Sequence, residues 1–573
     1  MDYYDTLSRE REENRSDILL MLMPFWTPLI PPLGIACLKA YMKDEKYNIK
    51  TIDANVEDEF RDIRAKYFMV LRECIPENRR GNFENIGQEV FDNHMMAYIN
   101  YDNEDEYVEL IKILVQKTFF HEVIKQQILE LNDILTIFYD RLEKYVLKLV
   151  EKEKPYLVGF SVFCGVLAPS LFAARIIKEH SPETVIFMGG GIFATQLLPG
   201  SPNFEYFIEK TEGYIDKLLI GEGEILFRKL LSGELPENKR VYTLGDIKNE
   251  TFDISTANIP DFSDYKLEYY PHLASYTSRS CPFQCSFCSE TIQWGKYRKK
   301  KAVQIVDELE KIYERHRSQL VLMGDSLLNP IASSLAKELM NRELPIYWDG
   351  YLRADRDVCD IDNTLLWRQG GFYRARLGIE SGSERVLEMM GKRITLQQIK
   401  QAIYNLASVG IKTTTYWVIG HPGETEEDFR QTLDLIEELK DFIWEAECNP
   451  FVYYYSGQVG SNDWADNRKL LYPEKARDML MLQTWYVDSI PSREETYLRI
   501  NRFVKHLKKL GIPTTYSLKD IYMADDRWSK LQKNAVPSLI EFKNNDSIII
   551  DSRKVQKLHV AEEEVDADIN FGF

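Results

Sequence analysis

The chain has 573 residues, of which 44% are hydrophobic and 28% charged, and its formal net charge is −18. This length exceeds what one hydrophobic core can organise, so we expect about two to four domains. No apolar run reaches the roughly 18 residues that span a bilayer, and the negative charge argues against a nucleic-acid partner, whose binding depends on Lys and Arg.

The cysteine content and the N-terminus predict a protein of the reducing cytoplasm. Eight cysteines in a chain of this length do not make a disulfide framework. The first residues, Met1 to Asp5, are acidic and polar, unlike a secretory signal peptide.

Apolar runs of strand length alternate with helical patterns in the first part of the chain. This alternation predicts a mostly parallel, doubly wound sheet that binds its ligand at the carboxyl ends of the strands. The predicted strands are 18–23, 49–52, 157–161, 185–188 and 217–220.

Two segments separate or interrupt the predicted domains. Residues 57–150 carry long helical patterns of mixed charge, so we expect a helical insertion, and we favour a scaffolding role over substrate selection. Residues 241–271 are polar and contain Pro260 and Pro271, which is typical of a linker. The predicted domains are therefore 1–240, with the insertion, then 272–479 and a C-terminal region, 480–573.

Strand–helix units repeat in the second domain. With the strand that leads to the cysteines they make six parallel strands, a partial (β/α)6 barrel whose polar groups gather at the C-terminal ends of its strands. A helix at 493–510, strand-like runs at 539–542 and 547–550, and an acidic tail at 562–568 predict a small C-terminal α+β region. The other barrel strands are predicted at 320–323, 346–350, 374–379, 413–419 and 445–455.

Three thiols, Cys281, Cys285 and Cys288, lie in a CxxxCxxC spacing. Thiolates suit iron–sulfur clusters and zinc, and closed sites of both kinds use four ligands. The next cysteine, Cys359, is far along the chain. A three-cysteine cluster leaves one iron open to a substrate or cofactor; structural zinc or unrelated thiols are the alternatives.

This spacing, with Phe287 before the last cysteine, resembles the signature of the radical S-adenosylmethionine (radical SAM) enzymes. The segments LGIESGSERVLEMMGK and WVIGHPGETEEDF are also similar to segments of that family. The resemblance implies a [4Fe–4S] cluster whose open iron binds the amino and carboxylate groups of SAM. The cluster then reduces SAM to a 5′-deoxyadenosyl radical.

The resemblance also suggests which residues contact SAM. Glu380 and Ser381 are expected at its ribose or amino end, and the backbone of 418–420 (Val418, Ile419 and Gly420) at its adenine. Arg353 is a candidate for the SAM carboxylate, since a planar fork suits that group; a barrel salt bridge is the alternative. Asp325 is a candidate for contact with SAM or substrate, with a helix N-cap as the alternative.

Motifs after the five first-domain strands (PPLG, TIDANVE, GFSVF, GGG and IGEGE) resemble the cobalamin-binding domain that precedes some radical SAM barrels. Tight strand–helix turns are the alternative reading of the glycines. By this resemblance the cobalamin contacts are Ser161, Gly189, Gly190, Gly191, Gly221 and Glu222.

The chain differs from some cobalamin-binding domains in the motif that supplies the lower cobalt ligand. Some cobalamin domains carry a DxHxxG motif after the first strand, whose His binds cobalt. The near match here, Asp92-Asn93-His94 with Ala97 at the glycine position, lies in the helical insertion instead. We therefore expect His94 to be an ordinary histidine of the surface or the insertion, and cobalt to have no lower histidine ligand.

The resemblance implies methyl transfer to an unactivated carbon of a natural-product or peptide substrate. One SAM donates its methyl group to cobalamin, a second gives the radical that takes hydrogen from the substrate, and a donor such as flavodoxin or ferredoxin supplies electrons. A radical cyclisation, rearrangement or epimerisation, with cobalamin in another role or a relic domain, is one alternative. A non-catalytic iron–sulfur binding or sensor protein is another. The family's PGT near the sixth strand is Ser456-Gly457-Gln458 here, which leaves the substrate open.

Overall fold

The structure is a computed structural model that describes residues 16–26, 29–45, 47–542, 553 and 555. The described residues form two six-stranded parallel sheets, one in each half of the chain. The predicted α/β class, a Rossmann-like domain followed by a partial barrel, is confirmed. None of the helices in the described ranges is long and apolar enough to cross a membrane.

The first sheet has the order β2-β1-β3-β4-β5-β6, so its strand order reverses between β1 and β3. Its central strands are almost continuously apolar, as expected of a parallel sheet covered on both faces; all five residues of β1 are buried. Its strands are β1 (Ile18–Leu22), β2 (Ile49–Asp53), β3 (Leu157–Ser161), β4 (Val185–Gly189), β5 (Lys217–Ile220) and β6 (Val241–Thr243).

Eight helices of the described residues accompany this sheet, and four of them form the predicted insertion. Helices α2 to α5 follow β2 and return the chain to β3, and their apolar faces share one core with the sheet. The helices are α1 (Leu33–Tyr41), α2 (Ile63–Cys74), α3 (Phe83–Asn100), α4 (Glu104–Phe119), α5 (Lys125–Glu153), α6 (Leu167–His180), α7 (Pro202–Thr211) and α8 (Gly223–Leu231).

The prediction that 241–271 is a linker is wrong. Its first residues form β6, which pairs with β5 in parallel, and Phe252, Ile254 and Phe262 are buried in the first-domain core. A strand of three residues is too short to show a periodic pattern. The buried apolar residues that follow it are separated by polar residues and prolines, so they also form no recognisable pattern.

The second sheet has the order β14-β13-β12-β11-β10-β7 and does not close, because β14 and β7 are not paired. The predicted partial barrel is therefore confirmed. Its strands are β7 (Leu273–Ser275), β10 (Leu320–Met323), β11 (Tyr347–Leu352), β12 (Phe372–Glu380), β13 (Lys412–Ile419) and β14 (Glu445–Pro450). Two antiparallel pairs flank it: β8 (Ser278–Arg279) with β9 (Arg298–Lys299), and β15 (Arg468–Leu470) with β16 (Trp485–Val487).

Helices surround the barrel and continue into the C-terminal region. The predicted strand at 539–542 is wrong, because these residues form a short helix at whose start Ser538 N donates to the Glu541 carboxylate at 2.7 Å. The run 547–550 and the acidic segment 562–568 lie outside the described residues. The helices are α9 (Glu290–Trp294), α10 (Ala302–His316), α11 (Asn329–Asn341), α12 (Ile361–Gln369), α13 (Glu384–Met389), α14 (Leu396–Ser408), α15 (Glu426–Leu439), α16 (Ala476–Leu480), α17 (Arg493–Leu510), α18 (Leu518–Leu531) and α19 (Leu539–Phe542).

Candidate active site

The three predicted cluster ligands lie on the loop between β8 and α9. Cys285 is buried, whereas Cys281 and Cys288 are partly exposed, and all three are free thiols. Burial raises the pKa of Cys288 to about 12 and that of Cys281 above its usual range. A metal centre that binds here must therefore displace their protons. Among the described residues, no three His, Cys, Asp or Glu side chains are grouped as ligands of a single metal ion.

The backbone of the cysteine loop is held by a rim segment, residues 456–460. Three successive loop carbonyls, at 286–288, accept hydrogen bonds from this segment, and on the other side Ser286 N donates to the Met390 carbonyl at 2.9 Å. The rim donors are Gly460 N, Gln458 Nε2 and Val459 N, at 2.7, 2.8 and 3.1 Å. The Ser-Gly-Gln sequence that departs from the family pattern thus belongs to a clamp on the cysteine loop, which sequence reasoning missed.

Arg353, just after β11, lies beside the cysteine loop. Its guanidinium stacks 4.1 Å from the centre of the Phe283 ring, and its Nη1 is 3.9 Å from Cys285 Sγ. Its Nη2 is buried and has no hydrogen-bond partner among the described residues. A buried donor without a partner costs free energy, so this cation fits an anionic group bound next to the thiols. No carboxylate forms the predicted alternative, a barrel salt bridge, with it among the described residues.

Glu380 ends β12 in a left-handed conformation (φ +67°), which is rare for a non-glycine residue and often marks functional sites. Its Oε1 accepts a hydrogen bond from Lys392 Nζ at 2.6 Å, and each side chain is only 9% exposed. Gly378 leaves room for this pair, because a Cβ there would lie 2.5 Å from Glu380 Oε1. Lys392 was not found from the sequence, since only the fold places it opposite Glu380.

Ser381 and the segment 418–420 lie at the C-terminal ends of β12 and β13. Ser381 Oγ accepts from Ser383 N at 3.1 Å and lies 3.4 Å from Thr432 Oγ1, so its hydroxyl faces the fold. Gly420 N donates to Glu424 Oε2 at 2.9 Å. The geometry therefore gives Ser381 and Gly420 internal partners, and their predicted SAM contacts stay predictions.

Asp325 is buried after β10 but is not an N-cap, since α11 begins after Leu328. Its carboxylate accepts from Thr277 N and Oγ1 and from Ser278 Oγ, at 2.6 to 3.0 Å. It therefore fixes the strand that leads to the cysteines. Contact with SAM or substrate stays a prediction.

The predicted cobalamin contacts meet at the carboxyl edge of the first sheet, where β3, β4 and β5 end. Gly190 has φ +123°, and a Cβ there would lie 2.5 Å from both Val162 N and O, so the turn itself requires glycine. At the end of β5, by contrast, Glu222 forms ion pairs with Arg298 and, at 3.1 Å, with Arg279 of the cysteine strand. Glu222 thus ties the two domains together, a role that the sequence did not reveal. The individual cobalamin contacts stay predictions.

An interdomain cavity of about 350 Å³ opens between this edge and the barrel. One wall comes from the loops after β3 and β4 with Cys164 and Gln196, another from the ends of β13 and β14, and a third from helix α3 of the insertion. None of the described lining residues is a histidine. The cavity therefore lies where a bound ligand would contact both domains.

His94 is buried within the insertion rather than at its surface. Its Nδ1 and Nε2 each lie 2.7 Å from a tyrosine hydroxyl, those of Tyr67 and Tyr107 respectively. Burial lowers its pKa to about 3. Both ring nitrogens are thus engaged by residues of the insertion itself, as the expectation of an insert histidine requires.

Comparison with known proteins supports the interpretation of the barrel as a radical SAM domain. Residues 275–436 match the model of the radical SAM superfamily. The anaerobic magnesium-protoporphyrin IX monomethyl ester cyclase of Rubrivivax gelatinosus is 26% identical over 52% of this chain and 57% of its own length. An uncharacterised methyltransferase of Pyrococcus horikoshii is 26% identical over 51% of this chain and 66% of its own length. This chain thus spans less than two thirds of these relatives.

The fold also has a solved counterpart that covers most of the chain. The radical SAM methyltransferase TsrM of Kitasatospora setae, solved with cobalamin and a [4Fe–4S] cluster, superposes with a TM-score of 0.55. The match is 13% identical in sequence and covers 94% of this chain and 99% of TsrM. At this identity the likeness concerns the fold, and it extends over both domains.

Proposed function

We propose that this chain is a cobalamin-dependent enzyme that methylates an unactivated carbon. It matches the radical SAM superfamily over residues 275–436 and has the fold of a cobalamin-binding member of that superfamily. The substrate would be a natural product or a peptide. The observation that carries the proposal is Arg353, a buried cation with a free donor beside Cys285. This is the polar group that a SAM carboxylate at the open iron requires.

In this proposal the chain's own residues bind and orient the reactants. Cys281, Cys285 and Cys288 would hold the cluster, and Arg353 Nη2 would donate to the SAM carboxylate. Glu380, whose second oxygen is not used by Lys392, accepts from the ribose hydroxyls or the ammonium of SAM. The clamp of residues 456–460 keeps the cysteine loop in place while SAM binds.

The bound groups supply the reaction itself: reductive cleavage of SAM at the cluster, and methyl transfer by way of cobalamin. At the substrate, one C–H bond is replaced by one C–CH3 bond. The hydrogen atom leaves in 5′-deoxyadenosine, and the SAM that supplies this nucleoside also releases methionine. The methyl group's former carrier leaves as S-adenosylhomocysteine. An electron donor such as flavodoxin or ferredoxin, supplying two electrons per turnover, completes the balance. A cluster of this kind also requires a reducing compartment, so the proposal includes the cytoplasm.

The cyclase among the relatives favours one rival, a radical cyclisation or rearrangement without methyl transfer. The two reactions differ in their nucleoside products. Anaerobically reconstituted protein with hydroxocobalamin, reductant and SAM labelled with a CD3 methyl group should release both S-adenosylhomocysteine and 5′-deoxyadenosine. Release of 5′-deoxyadenosine alone would contradict methyl transfer and support the rival.

A further inference from the structure

The interdomain cavity contains one carboxylate that forms no ion pair with another described residue. The charged side chains among its described lining residues are Glu89, Asp92 and Arg493. Glu89 and Arg493 form an ion pair at 3.2 Å. Among the described residues, Gln88 Nε2 donates a hydrogen bond to Asp92 Oδ1 at 2.7 Å. Asp92 Oδ2 is thus left to accept from whatever occupies the cavity.

Asp92 reaches from the helical insertion to the carboxyl edge of the first sheet. Its two carboxylate oxygens lie 3.6 and 3.7 Å from the position that a Cβ at Gly165 would take, in the loop after β3. The guanidinium of Arg64 attracts the Asp92 carboxylate electrostatically, but the hydrogen bond it donates goes to Gln88 Oε1, at 3.1 Å. Burial raises the pKa of Asp92 to about 7, so the carboxylate gains most from a ligand that brings a positive charge.

The rest of the cavity is mainly apolar and aromatic. Ile86 and Met96 of α3 line it on the insertion side, and Phe451, Trp485 and Tyr486 line it on the barrel side. The described lining residues include no unpaired cation, because Arg493 is bound to Glu89. This chemistry suits an apolar or aromatic molecule with one donor group, and it disfavours a carboxylate or phosphonate substrate.

We propose that this cavity binds an apolar substrate through an ammonium or other N–H group that Asp92 accepts, so that the helical insertion forms part of the substrate site. The claim that the ligand is the substrate rests on the proposed function. The amide side chains of cobalamin offer the same N–H chemistry, and the experiment separates the two sources.

The test compares matched small probes on the full chain, reconstituted with cluster and hydroxocobalamin, by calorimetry. The probes are 2-phenylethylamine and tryptamine, with 3-phenylpropionate and indole-3-propionate as carboxylates of similar shape. We expect each amine to bind at least about tenfold more tightly than its carboxylate partner, and Asp92→Asn to remove that preference. The control Glu109→Gln removes an exposed carboxylate of the neighbouring helix α4 and should keep it.

Equal binding of amines and carboxylates to the parent protein, or an unchanged preference in Asp92→Asn, would overturn the inference. A second arm measures hydroxocobalamin affinity in the same variant, which should equal that of the parent, and SAM cleavage by the parent. Weaker hydroxocobalamin binding with an intact amine preference would assign Asp92 to the cofactor and also overturn it. Failure of the parent to cleave SAM, with the amine preference present, would instead count against the proposed function.

Discussion

Lys392 donates a hydrogen bond to Glu380 at 2.6 Å in a pair of side chains that are each only 9% exposed. A buried ion pair is costly to break from one side, because the partner keeps an uncompensated charge. Glu380 thus has two tasks in this account, to neutralise Lys392 and to bind SAM, and substitutions can separate them.

Glu380→Gln should lower SAM affinity by about tenfold or more, since a hydrogen bond to a charged group contributes about 1.5–3 kcal/mol. It should also lower the melting temperature, because Lys392 loses its carboxylate. Adding Lys392→Met should restore the melting temperature but not SAM affinity. Recovery of affinity in the double variant would show that Glu380 acts on SAM only through the fold.

Arg353→Gln should weaken SAM binding by about tenfold or more, because the buried Nη2 donor and the positive charge are lost. Arg353→Lys should also bind SAM more weakly than the parent, since an ammonium lacks the planar fork. The control Arg356→Gln changes an exposed arginine of the same loop. Equilibrium binding of SAM to the reconstituted proteins measures all three, and unchanged affinity in Arg353→Gln would refute the assignment.

Gln458→Ala should loosen the cysteine loop. The side chain donates to the Phe287 and Val452 carbonyls and accepts from Tyr454 N, at 2.8, 2.8 and 3.0 Å, and each such bond contributes about 1 kcal/mol. We expect the variant to lose its brown chromophore faster in air. Gln401→Ala, which removes an exposed amide on α14, is the control. Equal rates of loss in the parent and Gln458→Ala would contradict the clamp.

His94 should make folding sensitive to acid. Its pKa is about 3 in the folded protein and near 6.5 in an unfolded chain, so between these values the unfolded state binds more protons. Stability is therefore present above pH 6.5 and falls as the pH drops, by up to about 1.4 kcal/mol per unit. Denaturant unfolding of the parent and of His94→Gln should show a shallower pH dependence in the variant, and parallel curves would contradict this.

The same variant tests cobalt ligation. His94→Gln should bind hydroxocobalamin as the parent does. After one-electron reduction of the bound cofactor to cob(II)alamin, the cobalt EPR spectra of both proteins should lack nitrogen hyperfine splitting from an axial histidine. The physical reason is that the ring nitrogens of His94 already bind Tyr67 and Tyr107. Loss of such a splitting on substitution would mean that His94 binds cobalt.

The sequence predicted the α/β class well because the strands of both sheets are apolar runs bounded by glycines and polar loops. The strands at 157–161, 217–220 and 320–323 have the same bounds in the structure. The run 539–542 was misassigned because four residues, three of them apolar, do not distinguish a strand from a short helix. The three-residue strand β6 carried too little pattern to be found.

The part of the site that lies on a single segment could be predicted from the sequence. The parts that form where distant segments meet could not. The cysteines share a single loop with a specific spacing. Lys392, Gln458 and Asp92 acquire their roles only through contacts made by the fold, with Glu380, the cysteine loop and the interdomain cavity respectively. In the sequence, Asp92 was considered only as part of the Asp92-Asn93-His94 near match. No local pattern distinguished its carboxylate from the other acidic side chains of the chain.

The central claim is that the three thiols hold a cluster that cleaves SAM. The most direct measurement is 5′-deoxyadenosine formation by anaerobically reconstituted protein with SAM and reductant, alongside iron content, for the parent and for the variant with Ala at 281, 285 and 288. We predict about four irons per chain and 5′-deoxyadenosine in the parent, and the loss of both in the variant. A variant that kept its iron, or an iron-loaded parent that formed no 5′-deoxyadenosine, would contradict the account.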